Sequence, residues 1–190
     1  MNSGAAPGAV ADGVLRSARL ELRRLTAGDF DLVHELSSDP RVMAPLGGML
    51  SEAQTRAWLE RQLAHFEQHG YGRYLVSHGS EIVGLVGLSR TDFERGIVPG
   101  VEIAWRLAFP YWGRGFASEA ARLAIDEGFT RFDLSEVVAI TSQDNVRSRA
   151  VMERLGMSFS PHETFDHPLL AAGDPLRRHV VYRLRRAPRP

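Results

Sequence analysis

Residues 101–121 have the pattern of a strand, a glycine-rich turn and a helix in direct succession. Apolar side chains alternate with polar or small ones as far as residue 107, which is the period of a half-buried strand. Pro110 ends this strand, and from Phe116 onward apolar residues recur at helical spacing. Gly113 and Gly115 lie between the two elements. The sequence therefore predicts a glycine turn at the N-terminus of a helix.

A turn of this kind can bind an anion through its main chain. The first N–H groups of a helix have no partner within the helix, and the aligned peptide dipoles favour negative charge there. Glycines let a diphosphate approach these groups, although a tight turn without a ligand has the same sequence pattern. Two known phosphate loops are excluded, because the chain has no lysine and because Ser118 replaces the third glycine of the dinucleotide fingerprint.

A second strand, turn and helix follow. Residues 137–141 are a compact apolar run, typical of a buried strand. Asn145 is a suitable N-cap for a short helix, and Gly156 is placed to end it. Such units, together with hairpins at both ends of the chain, predict a single twisted mixed sheet flanked by helices.

These stretches together resemble the GNAT superfamily of acyl-CoA-dependent N-acyltransferases, and in particular its RimJ/RimL-like branch, which acetylates protein N-termini and some small amines. The resemblance covers nearly the whole chain from about Ser17. It rests on ARLELR at 18–23, EIAW at 102–105, YWGRGFASEA at 111–120, NVRS at 145–148 and ERLGM at 153–157.

The resemblance implies a fold of the α/β class with an α+β mixed sheet. One twisted, mostly antiparallel sheet would splay apart at a central parallel pair of strands and would be flanked by helices. The acetyltransferase domain would comprise residues 17–186, preceded by a flexible arm at 1–16 and followed by a tail at 187–190.

The resemblance also implies acetyl-CoA as the co-substrate. Pantetheine would pair with the open edge of the strand at 101–107, and the pyrophosphate would accept hydrogen bonds from main-chain N–H groups of the glycine turn. The Arg114 side chain would either add positive charge beside a phosphate or simply be exposed to solvent. Asn145 would cap the second helix and contact pantetheine, although a cap alone is the simpler interpretation. The implied cofactor-binding set is Trp105, Arg106, Leu107, Trp112, Gly113, Arg114, Gly115, Phe116, Ala117, Asn145 and Ser148.

Acetyl transfer to an amine requires a base for the ammonium proton and an acid for the thiolate. Glu102, on the polar face of the first strand, is the candidate base, and a surface carboxylate paired with an arginine is the equal alternative. Ser148 is the candidate acid, by resemblance to RimL-like enzymes. Many relatives have a tyrosine acid where this chain has Met152, which cannot donate a proton. Trp112 also departs from the Gln or Arg of the broader family, but it is usual in the RimJ/RimL-like branch.

Composition excludes several classes of protein. The formal net charge of +0 argues against a dedicated nucleic-acid binder. The absence of cysteine excludes disulfides and thiolate sites and fits the cytoplasm. No apolar run is long enough to span a bilayer, and residues 1–13 lack the pattern of a signal peptide. The expected partners are a small-molecule or peptide amine acceptor, with no nucleic acid and no membrane, and a homodimer is compatible with the sequence.

Other elements are predicted from local signals. A capping box at Ser51 opens a long helix that ends at Gly70. An irregular loop is predicted at 40–48, a strand at 158–164 and a long loop at 165–178.

His162 and His167 have a spacing that some zinc ligands use. Nothing in a loop fixes their geometry, so solvated histidines are the expectation and no metal site is predicted.

Two other functions remain open at this stage. A non-catalytic acyl-CoA-binding module would use the same cradle, although the presence of both Glu102 and Ser148 favours an enzyme. A nucleotide-binding Rossmann protein would bind NAD or ATP rather than coenzyme A.

Overall fold

The computed structural model describes residues 13–90, 98 and 100–188. Within these residues, nine strands and five helices form a mixed α/β fold. The strands are β1 (Leu15–Arg16), β2 (Glu21–Arg24), β3 (Arg73–His78), β4 (Glu81–Arg90), β5 (Val101–Leu107), β6 (Glu136–Ser142), β7 (Ser158–Phe159), β8 (Phe165–Asp166) and β9 (Arg178–Arg185). The helices are α1 (Phe30–Ser38), α2 (Pro40–Met43), α3 (Glu52–His69), α4 (Phe116–Arg131) and α5 (Val146–Arg154).

The strands form a single sheet in the order β1-β2-β3-β4-β5-β6-β9-β7, with β8 paired to β9. Neighbouring strands are antiparallel except β5 and β6, which are parallel. Only Glu102 and Val138 pair in register between these two fully described strands. The sheet therefore opens beyond this pair, and the expected mixed sheet with a splayed parallel pair is confirmed.

Apolar side chains fill both faces of the sheet. Phe116 and Ile125 of α4 pack in the larger cluster with Ile103 of β5. Leu36 of α1 and Leu59 of α3 belong to a second cluster. Because successive side chains of a strand point to opposite faces, Glu102 points away from the face that Ile103 buries against α4.

Several predicted boundaries are confirmed. The Ser51 hydroxyl accepts a hydrogen bond from the Gln54 N–H at 3.3 Å, and the Gln54 side chain accepts one from the Ser51 N–H at 2.9 Å, which completes the capping box of α3. Gly70 ends this helix in the left-handed conformation, with φ of 76°. The strand and helix predicted around the glycine turn are β5 and α4.

The prediction of an irregular loop at 40–48 was wrong. Asp39 caps the short helix α2 by accepting a hydrogen bond from the Arg41 N–H at 2.8 Å, and Pro40 occupies its first position. A 3-10 turn then covers Ala44–Leu46. An aspartate followed by proline is a helix-start signal that the apolar character of this stretch obscured.

Two further boundaries differ from those predicted. The strand predicted at 158–164 ends at Phe159, because Pro161 opens a 3-10 turn. At the other end of the chain, β1 pairs with β2 through Leu15, which is buried. The sheet therefore begins before residue 17, while most of the predicted arm lies outside the described residues.

No helix in the described part of the chain is long and apolar enough to cross a membrane.

Candidate active site

A cleft of about 890 Å³ lies where β5 and β6 separate. The C-terminal half of β5, the glycine turn and the start of α5 line it. Of the sequence-predicted cofactor residues, the cleft brings together Trp105, Arg106, Leu107, Trp112, Gly113, Gly115, Phe116, Ala117, Asn145 and Ser148. The open edge of β5 and the start of α4 thus face the same cleft, because the glycine turn connects the end of β5 directly to α4.

The glycine turn leaves main-chain N–H groups available at the start of α4. Gly115 is the N-cap of this helix, with φ of 80°, and Gly113 also has a positive φ of 75°. The first bond within the helix runs from the Glu119 N–H to the Gly115 carbonyl at 3.1 Å. The three N–H groups of residues 116–118 precede that bond, so they have no partner within the helix. This arrangement can hold a diphosphate.

Ser118 supplies an independent indication of a polar ligand at the turn. Its side chain lines the cleft, and its hydroxyl oxygen is buried without a hydrogen-bond partner among the described residues. Buried hydroxyls are normally satisfied, so an unpaired one beside an anion cradle fits a bound phosphate oxygen. The residue that excluded a dinucleotide fingerprint is therefore a candidate binding residue for coenzyme A.

The N-terminal segment holds the back of the turn. The Glu119 carboxylate accepts hydrogen bonds from the Ser17 hydroxyl at 2.6 Å and from Arg19 Nε at 2.8 Å. Arg19 also donates to the Arg114 carbonyl at 3.1 Å. Partial burial would raise the pKa of Glu119, but the hydrogen bonds from Ser17 and Arg19 outweigh it and lower that pKa. Sequence reasoning missed this clamp, because its members are about a hundred residues apart.

Arg114 itself does not line the cleft. Its guanidinium lies over the rings of Tyr111 and Phe116, with its carbon 5.5 and 4.7 Å from their centroids. The Arg114 side chain thus does not bring its charge into the cleft, and only the main chain of this residue belongs to the turn.

Trp112 lines the cleft beside the turn and joins it to the strand. Its indole N–H donates to the Leu107 carbonyl at 2.8 Å, and its ring packs against both apolar clusters. The tryptophan therefore fixes the distance between the end of β5 and the turn.

Asn145 caps α5, as the sequence predicts. Its side-chain oxygen accepts a hydrogen bond from the Ser148 N–H at 3.2 Å, while its amide nitrogen donates to Thr141 Oγ1 at 2.9 Å. Both residues lie at the cleft, so the cap holds Ser148 on the first turn of α5 facing the cofactor site.

Charge in the cleft is predominantly positive. Arg41, Arg106, Arg147 and Arg154 line it, with Asp144 as the one carboxylate among the described lining residues. Four cations against one anion complement a cofactor that carries several phosphates. Composition could not reveal this, because the whole chain has no net charge.

Glu102 lines a second, smaller cavity of about 280 Å³ rather than the first. Both cavities are lined by Pro45 and Leu46, which follow α2. The two cavities therefore share this segment as part of their walls.

The Glu102 carboxylate is held by Arg73. The two side chains form an ion pair of 3.2 Å, and the same guanidinium donates to the Gly87 carbonyl at 2.6 Å and to Ser89 Oγ at 2.9 Å. Burial raises the pKa of Glu102 above its ordinary value, and Arg73 opposes part of that rise. Both interpretations of this carboxylate, base and ion-pair partner, are thus compatible with its position.

Arg106 adds a second cation to the polar face of β5. It donates to Ser37 Oγ at 2.8 Å and lies over the Trp58 ring at 5.3 Å from its centroid. Burial, together with neighbouring Arg73, lowers the pKa of Arg106 to about 10. The side chain remains protonated at neutral pH.

The two histidines considered for zinc have different surroundings. His162 is exposed, whereas the His167 ring packs against His179 with centroids 4.9 Å apart. His167 and His179 both line the second cavity.

Comparison with known proteins identifies the family. Residues 19–158 match the family described as Acetyltransferase (GNAT) domain, so the chain belongs to the GNAT acetyltransferases. The uncharacterized N-acetyltransferase p20 of Bacillus licheniformis is 30% identical over 146 residues, which are 74% of this chain and 80% of that protein. The spermidine N(1)-acetyltransferase of Escherichia coli K12 is 27% identical over 157 residues, 73% of each protein.

Solved structures agree in fold. An acetyltransferase from Agrobacterium tumefaciens C58 has a TM-score of 0.74 at 30% identity and covers 91% of this chain and 94% of its own. The ribosomal L7/L12 acetyltransferase RimL, solved with coenzyme A, has a TM-score of 0.73 at 19% identity, covering 90% and 97%. The protein is an N-acetyltransferase of the GNAT family with acetyl-CoA as its co-substrate.

Replacing Gly115 by Val tests the cradle. We expect at least a tenfold rise in the Kd for acetyl-CoA, because a β-branched residue is strained at φ of 80° and its side chain would cover the open N–H groups. Calorimetric titration measures the Kd. Gly173→Val is the matched control, since Gly173 has φ of 89° and no atom within 4 Å of an added Cβ, but lies outside the cleft. An unchanged Kd for Gly115→Val would contradict the assignment.

Proposed function

We propose that this protein transfers the acetyl group of acetyl-CoA to a primary amine by direct attack in a ternary complex. The observation that carries the proposal is a pair of neighbouring cavities that share Pro45 and Leu46 in their walls, one with the glycine turn and the other with the Glu102 carboxylate. Neighbouring sites of this kind allow both substrates to be bound at once, which raises their effective concentration.

Glu102 is the proposed proton acceptor for the amine. It lines the second cavity, which is the proposed site of the amine and is called the acceptor cavity below. Burial raises the pKa of Glu102 toward the range in which a carboxylate accepts protons effectively near neutral pH. Ser148 is the proposed donor to the departing thiolate, because its position on the first turn of α5 is at the cofactor cleft. Met152 is buried, and its thioether has no proton to donate.

The proposed acceptor is a compact amine with a single positive charge. The second cavity has a volume of about 280 Å³, and Glu102 is the one carboxylate among its described lining residues. That carboxylate is already paired with Arg73. A polyamine such as the substrate of the spermidine acetyltransferase relative would leave its further charges without partners.

Release of the coenzyme A thiol with a panel of acceptors tests this proposal. The panel contains compact primary monoamines, spermidine and short peptides with free N-termini, and we expect the highest kcat/KM for a compact monoamine. A higher value for spermidine or the peptides would contradict the proposed acceptor. Binding of acetyl-CoA without turnover of any amine would instead favour the acyl-CoA-binding module.

Ser148→Ala tests the proton donor. We expect kcat to fall about tenfold, with the Kd for acetyl-CoA within twofold of the parent, because the hydroxyl would act only on the leaving thiolate. Ser135→Ala, at an exposed position away from the cleft, serves as the matched control. An unaltered kcat for Ser148→Ala would assign that proton to water.

A further inference from the structure

His179 lies in the acceptor cavity without a role in the chemistry described so far. It belongs to β9 and lies opposite Ser142 of β6 in the antiparallel register. Its side chain and that of Glu102 line the same cavity of about 280 Å³. A basic side chain is therefore available to the acceptor in addition to the carboxylate.

The hydrogen bonding of His179 defines which ring nitrogen can accept a proton. Its Nδ1 lies 3.2 Å from the Arg177 carbonyl oxygen. A carbonyl oxygen only accepts hydrogen bonds, so Nδ1 must carry the proton. The lone pair of the neutral ring is then on Nε2, to which no described residue donates. Orientation of one imidazole nitrogen by a backbone carbonyl is the arrangement that leaves the other free for proton transfer.

The surroundings of His179 keep its ring neutral. Its ring packs against those of Phe165 and His167, with centroids 5.7 and 4.9 Å away. Burial lowers the pKa of His179, although its hydrogen bond to Arg177 opposes this, and burial together with His179 lowers the pKa of His167. A neutral imidazole at neutral pH is in its proton-accepting form.

The charged groups that the structure describes on the neighbouring elements leave Nε2 available. From β8, Asp166 forms ion pairs of 3.3 Å with Arg177 and 3.1 Å with Arg178, which occupy both of its oxygens. From β5, Glu102 faces the same cavity and is paired with Arg73. Among the described residues, His167 is the remaining titratable group at the ring, and its Nδ1 accepts a hydrogen bond from the Leu169 N–H at 3.3 Å.

An unsatisfied hydroxyl indicates independently that this cavity takes a polar ligand. Ser142 is 3% exposed and lines the cavity, and its oxygen is buried without a hydrogen-bond partner among the described residues. A buried hydroxyl without a partner is uncommon in proteins. A ligand with a hydrogen-bonding group would satisfy it beside His179.

We propose that His179 is a second proton acceptor in the acetyl transfer, with Nε2 taking one of the two protons that the acceptor nitrogen loses and Glu102 taking the other. This inference rests on the proposed function. An ammonium that becomes an amide forms one bond from nitrogen to the acetyl carbon, the carbon–sulfur bond breaks, and nitrogen gives up two protons. One of these two protons is passed on to Ser148 and replaces the proton that it donates to the thiolate. The other proton is released to solvent.

His179→Asn tests the inference with the amine that gives the highest turnover in the panel. The asparagine amide can keep the hydrogen bond to the Arg177 carbonyl, but it has no counterpart of Nε2. We expect kcat to fall about a hundredfold, the lower end of the contribution of one general base, with the KM for acetyl-CoA within twofold of the parent. In the dependence of kcat on pH, the decrease at low pH that is caused by protonation of the His179 imidazole should disappear.

Two controls separate catalysis from structure. His162→Asn, at an exposed position outside both cavities, should keep kcat within twofold of the parent. Added imidazole should restore part of the kcat of His179→Ala, with a pH dependence set by the added base. Nitrogen chemical shifts of the unmodified protein give a measurement independent of any variant, and we expect Nε2 of His179 to be unprotonated at neutral pH.

Three results would overturn the inference. The first is a His179→Asn variant whose kcat and pH profile equal those of the parent. If Glu102→Gln lowers kcat at the same time, the proposed function is retained and only the role of His179 is lost. The second is a protonated Nε2 at neutral pH. The third is absence of amine turnover by the parent, in which case the inference and the proposed function fail together.

Discussion

Glu102→Gln is expected to lower kcat about a hundredfold or more, the usual contribution of a positioned general base. The glutamine oxygen can still accept the hydrogen bond from Arg73, so the packing around the ion pair is retained. The Kd for acetyl-CoA should not change, because Glu102 lines the second cavity and not the cofactor cleft. Steady-state kinetics and calorimetric titration measure the two quantities separately.

The pH dependence of the parent gives the same prediction a second test. A base acts only when it is deprotonated, and burial raises the pKa of Glu102. As the pH falls, kcat should therefore begin to decrease at a higher pH than it would with a base of ordinary glutamate pKa. In Glu102→Gln the decrease caused by protonation of Glu102 should be absent. Glu35→Gln, on the exposed side of α1, is the matched control. A kcat for Glu102→Gln within threefold of the parent would leave Glu102 as an ion-pair partner only.

Gly87→Ala is expected to lower the free energy of unfolding by about 3 kcal/mol or more, at the upper end of the cost of overpacking. A Cβ at Gly87 would lie 2.1 Å from the Gly72 carbonyl oxygen and 2.9 Å from the Arg73 Cα. Both atoms belong to the backbone of the adjacent chain segment, so the clash can be relieved only by moving β3 away from β4. Urea denaturation of the two proteins measures the difference.

The same substitution should also disturb the active site. The Gly87 carbonyl accepts a hydrogen bond from Arg73 at 2.6 Å, and Arg73 holds Glu102. Gly28→Ala is the matched control, since an added Cβ there meets only Thr26 Oγ1 at 3.7 Å. A loss of less than 1 kcal/mol for Gly87→Ala would mean that the two strands can separate at little cost.

Much of the cofactor side could be predicted from sequence because its parts are contiguous. The end of β5, the two glycines and the start of α4 occupy residues 101–121, and the local rules for strands, turns and caps apply directly to such a stretch. Asn145 as the cap of α5 follows from the same rules. The catalytic roles of Glu102 and Ser148 remain predictions, because position alone does not establish proton transfer.

The acceptor side could not be predicted in the same way. Arg73, which holds Glu102, is 29 residues away from it in sequence, and the strand pairing of β3, β4 and β5 brings the two together. The tautomer of His179 depends on the Arg177 carbonyl, which only the folded backbone places beside its ring. Pro45 and Leu46, which line both cavities, lie in a segment for which the sequence predicted no regular structure.

The amino-acid sequence by itself determined the family, the order of most elements and the glycine turn at the start of α4, because these depend on residues close together in the chain. The tertiary structure decided which distant side chains come together: Arg19 with Glu119, Arg73 with Glu102, and His179 with Glu102 in the lining of the second cavity. The physical reason is that the pKa and hydrogen bonding of a side chain are set by burial and by neighbours across the sheet. A linear pattern contains neither.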